Sequence, residues 1–273
     1  MPTVVITGAG SGLGRALAIE WAQRGWRIVA TDRHLDGAQE TVRLLPTRAT
    51  GDEQHEAFVL DVTRDEDFSR LLNHMGTVRV DMLVNNAGVA TAGSLSNTPL
   101  SEWDRVLDIN LMGVVRGCRA FESRLRADGG GHVVNVASFA GLANAPIMAT
   151  YNVTKAGVIA LSETLRTEWL ADKIGVTVVC PSFFQTGLLD HSESFGIDLK
   201  RIGSKLMANS PITAEDVARR VVADAEAKRF MCIPHSDARW LHRLKRLAPE
   251  MFSRMMVNKS KGMSRPREPS AAE

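Results

Sequence analysis

Tyr151 and Lys155 are the two side chains whose types and spacing most directly suggest chemistry. Residues four positions apart lie on the same face of a helix, so the phenol and the ammonium group would be neighbours. Free tyrosine has a pKa of ~10, which is too high for a base at neutral pH. A nearby ammonium group favours the phenolate and would tune Tyr151 as a general acid/base. Taken alone, Tyr151 could equally be a core or interface aromatic and Lys155 a surface charge.

A glycine-rich segment follows the first predicted strand. Residues 7–14 read TGAGSGLG and come directly before a predicted helix. Glycines let the backbone turn tightly and approach a pyrophosphate, which the helix N-terminus then stabilises. The plain alternative is a tight connection between strand and helix. Because the segment opens a strand–helix–strand unit, it favours dinucleotide binding.

Asp32 is the residue expected to determine which dinucleotide binds. It ends the second predicted strand, 18 positions after Gly14. A carboxylate there can accept hydrogen bonds from both ribose hydroxyls and repels a 2′-phosphate, which favours NAD over NADP. The alternatives are a solvated strand-end aspartate, or dominance of Arg33, whose guanidinium group can bind a phosphate. We expect NAD, with NADP less favoured.

The elements that would position these residues alternate along the chain. Short apolar runs begin with Thr3–Thr7 and Arg27–Thr31 and end with Phe230–Ile233, and amphipathic segments separate them. The longest predicted helix runs from about Pro99 to Ala127. This pattern predicts an α/β fold: a Rossmann-like, doubly wound parallel sheet of about seven strands in a single domain. Residues 1–235 would form this dinucleotide-binding catalytic domain.

The ordered set of motifs resembles the short-chain dehydrogenase/reductase family. The loop after the first strand matches TGxxxGxG, Asn85–Gly88 matches NNAG, and Tyr151–Lys155 matches YxxxK. Ser138 stands thirteen residues before the tyrosine. The resemblance covers nearly the whole chain up to about residue 235. It implies an NAD(P)-dependent alcohol dehydrogenase or carbonyl reductase.

The resemblance also implies roles for individual residues. The implied catalytic residues are Asn110, Ser138, Tyr151 and Lys155. Lys155 would reach the nicotinamide ribose, Ser138 would hydrogen-bond the substrate oxygen, and Asn110 would hold a water for proton relay. Asp61 and Val62 resemble the pair that contacts adenine. The implied cofactor contacts are Gly8, Ser11, Gly12, Leu13, Gly14, Asp32, Arg33, Asp61, Val62, Asn86, Ala87, Gly88, Tyr151, Lys155, Pro181 and Thr186.

The segment after the sixth predicted strand departs from the family pattern. Ser182 stands where the family usually has glycine after proline, which predicts a slightly different loop backbone. Thr186 would still contact the nicotinamide carboxamide. The residues expected to face substrate are apolar and suggest a lipophilic alcohol or ketone, although several could simply pack in the core. They are Phe139, Leu142, Ile147, Phe183, Phe184 and Leu188.

The C-terminal segment has a different character. Residues 236–257 form a basic amphipathic extension, in which apolar residues recur at helical spacing and Pro249 should end or kink the helix. Such a helix can lie on an anionic membrane surface, but docking on this chain or a neighbouring subunit is favoured. Residues 258–273 are polar with two prolines and are expected to be disordered.

Composition narrows the class of protein. The net charge of +2 gives no reason to expect a nucleic-acid partner, and three widely spaced cysteines show neither a disulfide framework nor metal-ligand spacing. We expect a cytoplasmic protein with reduced thiols, no metal and no signal peptide, and by resemblance a homodimer or homotetramer. Two alternatives stay open: an NADPH-dependent carbonyl or ketoacyl reductase, and a dinucleotide-binding scaffold without catalysis.

Overall fold

The structure is a computed structural model that describes residues 1–46, 54–185, 192–196, 198–208 and 210–260. Within them, seven strands form a parallel sheet in the order β3-β2-β1-β4-β6-β7-β9. The strands are β1 (Thr3–Thr7), β2 (Arg27–Asp32), β3 (Glu56–Val59), β4 (Met82–Asn85), β5 (Thr91–Gly93), β6 (His132–Val136), β7 (Gly175–Val179), β8 (Glu193–Phe195) and β9 (Met231–Cys232). β5 and β8 pair with each other outside this sheet.

Helices cover both faces of the sheet. They are α1 (Gly12–Gln23), α2 (Leu35–Arg43), α3 (Asp65–Met75), α4 (Leu100–Leu107), α5 (Gly113–Arg126), α6 (Phe139–Ala143), α7 (Ala149–Glu168), α8 (Leu199–Ala208), α9 (Ala214–Glu226), α10 (Ser236–Leu247) and α11 (Pro249–Ser260). The predicted Rossmann-like, doubly wound α/β sheet of seven strands is therefore confirmed. Within the described residues, no helix combines the length and apolar character needed to cross a bilayer.

The core lies on both sides of the sheet because successive strand side chains point to opposite faces. Val4 and Ile6 of β1 join a cluster with residues of α1 and α9, whereas Val5 joins a second cluster with residues of α3, α5 and α7. Trp21 and Phe121 are fully buried on the two sides. Burial on both faces explains why β1 is a continuous apolar run rather than an alternating one.

The strand order reverses at the middle of the sheet. β1 pairs with β2 on one side and with β4 on the other, so that Ile6 lies opposite both Ala30 and Val84. In open α/β sheets the crevice beyond the carboxyl ends of such central strands is the usual place for a ligand. The glycine-rich loop and the segment after β4 meet at this crevice.

The long predicted helix differs from the structure. The stretch from Pro99 to Ala127 contains α4, then a turn of π-helix at Asp108–Met112, then α5. Single π turns inside helices occur often at functional positions, because they rotate side chains out of the regular α register. Asn110 lies in this π turn.

The C-terminal extension consists of two helices. α10 ends at Leu247, and Pro249 occupies the first position of α11, where proline costs no helical hydrogen bond. α11 continues to Ser260, past position 258 where the disordered tail is predicted to begin. The rest of the predicted tail, residues 261–273, lies outside the described residues.

Candidate active site

A cavity of about 930 Å³ opens at the carboxyl ends of β1 and β4. It is lined by the glycine-rich loop, the ends of β2, β4 and β6, and residues of α7. Every described residue of the predicted cofactor set lines it, as do Ser138, Tyr151 and Lys155. Asn110 does not line it, and Thr186 lies outside the described residues.

The glycine-rich loop is shaped so that only glycine fits at several points. Gly8 and Gly12 have φ of 64° and 51°, a left-handed conformation that side chains disfavour. A Cβ on Gly14 would come 2.1 Å from the carbonyl oxygen of Gly8, and a Cβ on Gly10 would come 2.7 Å from Asp32 Oδ2. The loop thus presents bare backbone at the start of α1, a geometry that fits a dinucleotide pyrophosphate.

Thr7 and Asn86 join the glycine-rich loop to the segment after β4. The Thr7 hydroxyl accepts hydrogen bonds from the backbone N–H groups of Asn86 (3.0 Å) and Ala87 (3.1 Å). The side-chain amide of Asn86 donates to the carbonyl oxygens of Thr7 (2.9 Å) and Gly8 (3.1 Å). This network holds the two loops of the crevice at a fixed separation, which a rigid dinucleotide site needs.

Asp32 stands at the end of β2 with its carboxylate turned toward the glycine loop. Its Oδ2 accepts a hydrogen bond from Gly10 N (3.0 Å), and Oδ1 accepts one from His34 N (3.0 Å). The neighbouring Arg33 is exposed, and its Nε donates to His34 Nε2 (3.0 Å). The carboxylate is thus held in place by backbone N–H groups, whereas the guanidinium group of Arg33 lies in solvent.

Asp61 and Val62 form the side of the cavity beyond β3. The Asp61 carboxylate accepts hydrogen bonds from the backbone and the hydroxyl of Thr63 at 2.9 and 2.7 Å. The Val62 side chain packs against Gly113, where a Cβ would come within 2.9 Å. This contact fixes the apolar surface that the predicted adenine contact requires.

Tyr151 and Lys155 lie on the buried face of α7. Lys155 Nζ donates to the carbonyl oxygen of Val136 (3.0 Å) and is 5.8 Å from the centroid of the Tyr151 ring. Burial lowers the pKa of Lys155 to about 8. Burial raises the pKa of Tyr151, and a hydrogen bond with Ser138 acts in the opposite direction. The expectation of a lowered tyrosine pKa is therefore not met, because burial disfavours the phenolate by more than the neighbouring groups favour it.

Ser138 connects β6 to α6. It is the N-cap of α6, and its hydroxyl accepts a hydrogen bond from Ala140 N at 3.1 Å. The hydroxyl also lies 3.5 Å from the carbonyl oxygen of Pro181. This cap fixes the serine rotamer beside the tyrosine, so both hydroxyl groups can approach one substrate oxygen.

Asn110 is fully buried and bonded to backbone. Its side-chain oxygen accepts from Val89 N (2.8 Å), and its nitrogen donates to Val89 O (2.9 Å) and lies 3.4 Å from Thr154 Oγ1. Asn110 thus fixes the segment after β4 against α7. The water-relay role that the resemblance implies remains a prediction.

The loop after β7 accommodates Ser182 without a left-handed backbone, since Ser182 is not among the described non-glycine residues with positive φ. Its backbone N–H donates to His235 Nδ1 (3.2 Å), and His235 Nε2 lies 3.2 Å from the carbonyl oxygen of Phe183. Burial lowers the pKa of His235, which keeps Nδ1 free to accept. The predicted backbone change is thus small, and His235 is a positioning residue that the motifs did not reveal.

Three of the predicted substrate-side residues line the cavity: Phe139, Phe183 and Phe184. Leu142 and Ile147 do not line it, and Leu188 lies outside the described residues. Ile147 instead has φ of 59°, and its carbonyl oxygen accepts a hydrogen bond from Gly93 N (2.8 Å). The structure adds lining residues that were not predicted: Arg105, Met148, Leu199, Met207, Asp237, Leu241, Phe252 and Met256.

A family model described as short chain dehydrogenase matches residues 2–195. The chain belongs to the short-chain dehydrogenase/reductase family. The strand order of its parallel sheet is that of the Rossmann-like fold expected for this family. The family motifs TGxxxGxG, NNAG and YxxxK border one cavity in this short-chain dehydrogenase/reductase.

Individual relatives agree with this assignment. The "Probable oxidoreductase EphD" of Mycobacterium tuberculosis is 33% identical over 256 residues, which are 90% of this chain and 43% of EphD. The chain thus spans less than half the length of that relative. A short-chain dehydrogenase/reductase from Burkholderia phymatum, solved in complex with NAD, is 29% identical with a TM-score of 0.81 over 99% of this chain and 98% of that one. A short-chain dehydrogenase from Sphingobium yanoikuyae, solved in complex with NADPH, is 27% identical with a TM-score of 0.73 over 100% and 99%.

Proposed function

We propose that this short-chain dehydrogenase/reductase transfers a hydride between NAD(H) and the alcohol or carbonyl group of a lipophilic substrate. The observation that carries the proposal is one cavity with a bare glycine loop and a fixed carboxylate at one end and Ser138, Tyr151 and Lys155 at the other. A scaffold without catalysis would need the loop and the carboxylate but not the three polar groups. Their presence favours an enzyme.

Tyr151 would be the general acid/base of the reaction. Its raised pKa keeps the phenol protonated at neutral pH, ready to donate a proton to the carbonyl oxygen during reduction. In the direction of alcohol oxidation, the same oxygen would receive the proton. Ser138 would hydrogen-bond the substrate oxygen as its charge changes, and Lys155 would hold the nicotinamide ribose. The bound dinucleotide supplies the hydride or accepts it.

The preference for NAD rests on the two neighbouring charges at the end of β2. Asp32 is held by the backbone of the glycine loop, so it cannot easily turn away from a 2′-phosphate. Arg33 is exposed and directed at His34, so any phosphate contact would require it to move. An NADPH-dependent reductase is the second candidate. It is supported by the similar short-chain dehydrogenase from Sphingobium yanoikuyae, which was solved in complex with NADPH.

The substrate is proposed to be lipophilic because the substrate end of the cavity is mainly apolar. Phe139, Phe183 and Phe184 contribute three aromatic rings to it. Arg105 also lines the cavity, but both oxygens of Glu102 accept hydrogen bonds from it at 2.7 and 2.8 Å. A paired guanidinium group of this kind is poorly placed to bind an anionic substrate.

Calorimetric titration of the wild-type protein with NADH and with NADPH tests the cofactor assignment. We expect NADH to bind much more tightly than NADPH. The Asp32→Asn variant should lose about tenfold or more of this preference, because the repulsion of the 2′-phosphate is removed. The control is Asp36→Asn, which removes an exposed carboxylate four positions further on and should leave the preference unchanged.

The outcomes of this titration separate the candidates. Tighter binding of NADPH than of NADH by the wild type would mean that Arg33 outweighs Asp32 in cofactor choice. This result would favour a biosynthetic reductase. Binding of neither dinucleotide would contradict hydride transfer by the free protein and support a non-catalytic role.

A further inference from the structure

The C-terminal helix pair α10–α11 forms part of the cavity wall. Asp237 and Leu241 of α10 and Phe252 and Met256 of α11 line the cavity. The sequence places these residues after the predicted catalytic domain, in an extension with no assigned role.

Phe252 is the most buried of these residues. It is 4% exposed, whereas the preceding Met251 is 54% exposed. This difference shows that α11 docks on the rest of the protein by the face that carries Phe252. The Phe252 ring is therefore a fixed part of the wall rather than a mobile surface side chain.

Lys245 holds the helix pair against the catalytic machinery. Its Nζ donates a hydrogen bond to the carbonyl oxygen of Leu142 in α6 (2.5 Å) and lies 5.8 Å from the centroid of the Phe252 ring. Burial lowers the pKa of Lys245, as expected for an ammonium group taken partly out of water. One side chain thus connects α10, α11 and α6, and α6 is the helix that Ser138 caps.

The part of the cavity lined by α8 is apolar as well. Leu199 and Met207 of α8 line the same cavity and are 5% and 7% exposed. Met148, just before α7, completes this side. Asp237 is exposed, and the other cavity residues of the extension, Leu241, Phe252 and Met256, are apolar. These apolar walls suit hydrocarbon, since Asp237 is exposed and the Arg105 guanidinium group is paired with Glu102.

We propose that the C-terminal helix pair α10–α11 is the specificity-determining wall of the substrate pocket, with Phe252 limiting the size of the substrate and Lys245 holding the wall in place. The substrate class is a neutral alcohol or ketone that carries an extended hydrocarbon chain or ring. This inference rests on the proposed function, because it assumes that the reacting carbon lies at Tyr151.

The test measures kcat/KM for a homologous series of 2-alkanols with NAD and 2-alkanones with NADH. For the wild type we expect kcat/KM to rise by up to about fourfold with each added methylene group and then to reach a limit. Phe252→Ala should move this limit to longer or bulkier substrates. It should leave the Kd for NADH unchanged, because Phe252 belongs to the C-terminal extension and is not one of the expected cofactor contacts.

Three further variants make the result interpretable. Met251→Ala removes a side chain of similar size from the exposed position next to Phe252 and should reproduce the wild-type profile. Phe252→Leu keeps an apolar side chain in place and should shift the limit even if Phe252→Ala does not fold. Lys245→Met should raise KM for the long substrates by more than it changes kcat, since the wall would be held less firmly.

The results distinguish failure of this inference from failure of the proposed function. If the wild type turns over the series, and kcat/KM depends on chain length in the same way in Phe252→Leu and Met251→Ala, the wall assignment alone is overturned. Absence of turnover on every member of the series would contradict the proposed function. Calorimetric binding of 2-dodecanone would then test the wall directly, and equal affinity in wild type and Phe252→Leu would overturn it.

Discussion

At the residue scale, the site depends on how two buried groups of α7 hold their protons. Tyr151 is 6% exposed and Lys155 is 4% exposed. Burial disfavours the charged form of each, so it raises the pKa of the tyrosine and lowers that of the lysine to about 8. The phenol is thus in its acidic form through the neutral range, and the ammonium group is largely charged below pH 8.

Because Tyr151 is the single tyrosine of the chain, its ionisation can be followed directly. Ultraviolet difference titration of the protein without nucleotide should show one tyrosinate transition with a midpoint above the ordinary value of ~10. The signal should vanish in Tyr151→Phe. That variant should also lose about 10²–10⁴-fold in kcat while binding NADH as the wild type does.

Either part of this result can fail independently. A midpoint below ~10 would mean that the Lys155 ammonium group outweighs burial after all. Normal turnover by Tyr151→Phe would show that another group transfers the proton, and the assignment of Tyr151 would be wrong.

At the element scale, the junction of β6 and β7 contains a buried histidine with a defined proton. The Thr177 hydroxyl donates to the carbonyl oxygen of Arg229 (2.7 Å), so it accepts from His132 Nε2 (2.8 Å). His132 Nδ1 has no hydrogen-bond partner among the described residues, and a Cβ on Gly175 would come 2.2 Å from it. A second proton on Nδ1 would therefore be buried without an acceptor.

This arrangement predicts a loss of stability in acid. Burial lowers the pKa of His132 to about 4, against ~6.5 in the unfolded chain. Since the unfolded state binds the proton more tightly, stability is fully present above pH 6.5 and falls as the pH is lowered toward 4. The free energy of unfolding should fall by ~3 kcal/mol as the pH approaches 4. Urea unfolding of the wild type and His132→Gln between pH 7 and pH 4 measures it.

The variant should show a flatter pH dependence than the wild type, whatever its stability at pH 7. His74→Gln is the matched control, because the His74 side chain is 53% exposed. An equal flattening in both variants would mean that His132 does not carry the effect.

At the scale of the whole molecule, one helix presents an uncharged face to solvent. On α7, Val153 is 49% exposed, and Ala160 and Thr164 are also exposed, with Gly157 between them. Their spacing of three, four and seven residues places them on one side of the helix, opposite Tyr151 and Lys155. A small, uncharged helix face of this kind is typical of a contact between subunits. We propose that it forms the interface of a homodimer or homotetramer.

The substitution Ala160→Glu tests this interface. A carboxylate buried at the centre of a subunit contact would be costly, so sedimentation velocity should show a smaller species than the wild type. Ala223→Glu introduces the same side chain at an exposed position of α9 and should leave the sedimentation coefficient unchanged. A monomeric wild type, or identical behaviour of the two variants, would contradict the proposal.

Much of this protein is determined by local sequence. The β-branched runs, the glycines at 8, 12 and 14 and the alternation of strands with amphipathic segments depend on period and backbone conformation, and they predict the doubly wound sheet. The same applies to the cofactor end of the cavity. Its residues follow directly after strands, and the carboxyl ends of parallel strands meet at one edge.

The tertiary structure alone decided the contacts between residues far apart in the sequence. The π turn at Asp108–Met112, the bonding of Asn110 to Val89 and the His235 contacts with the loop after β7 leave no periodic signal. The apolar positions of α10 were visible, but the sequence could not say what they covered. The last two helices pack where their shapes fit the finished fold, and local propensity does not determine this. Only this packing places Phe252 in the cavity wall and Lys245 against Leu142 of α6.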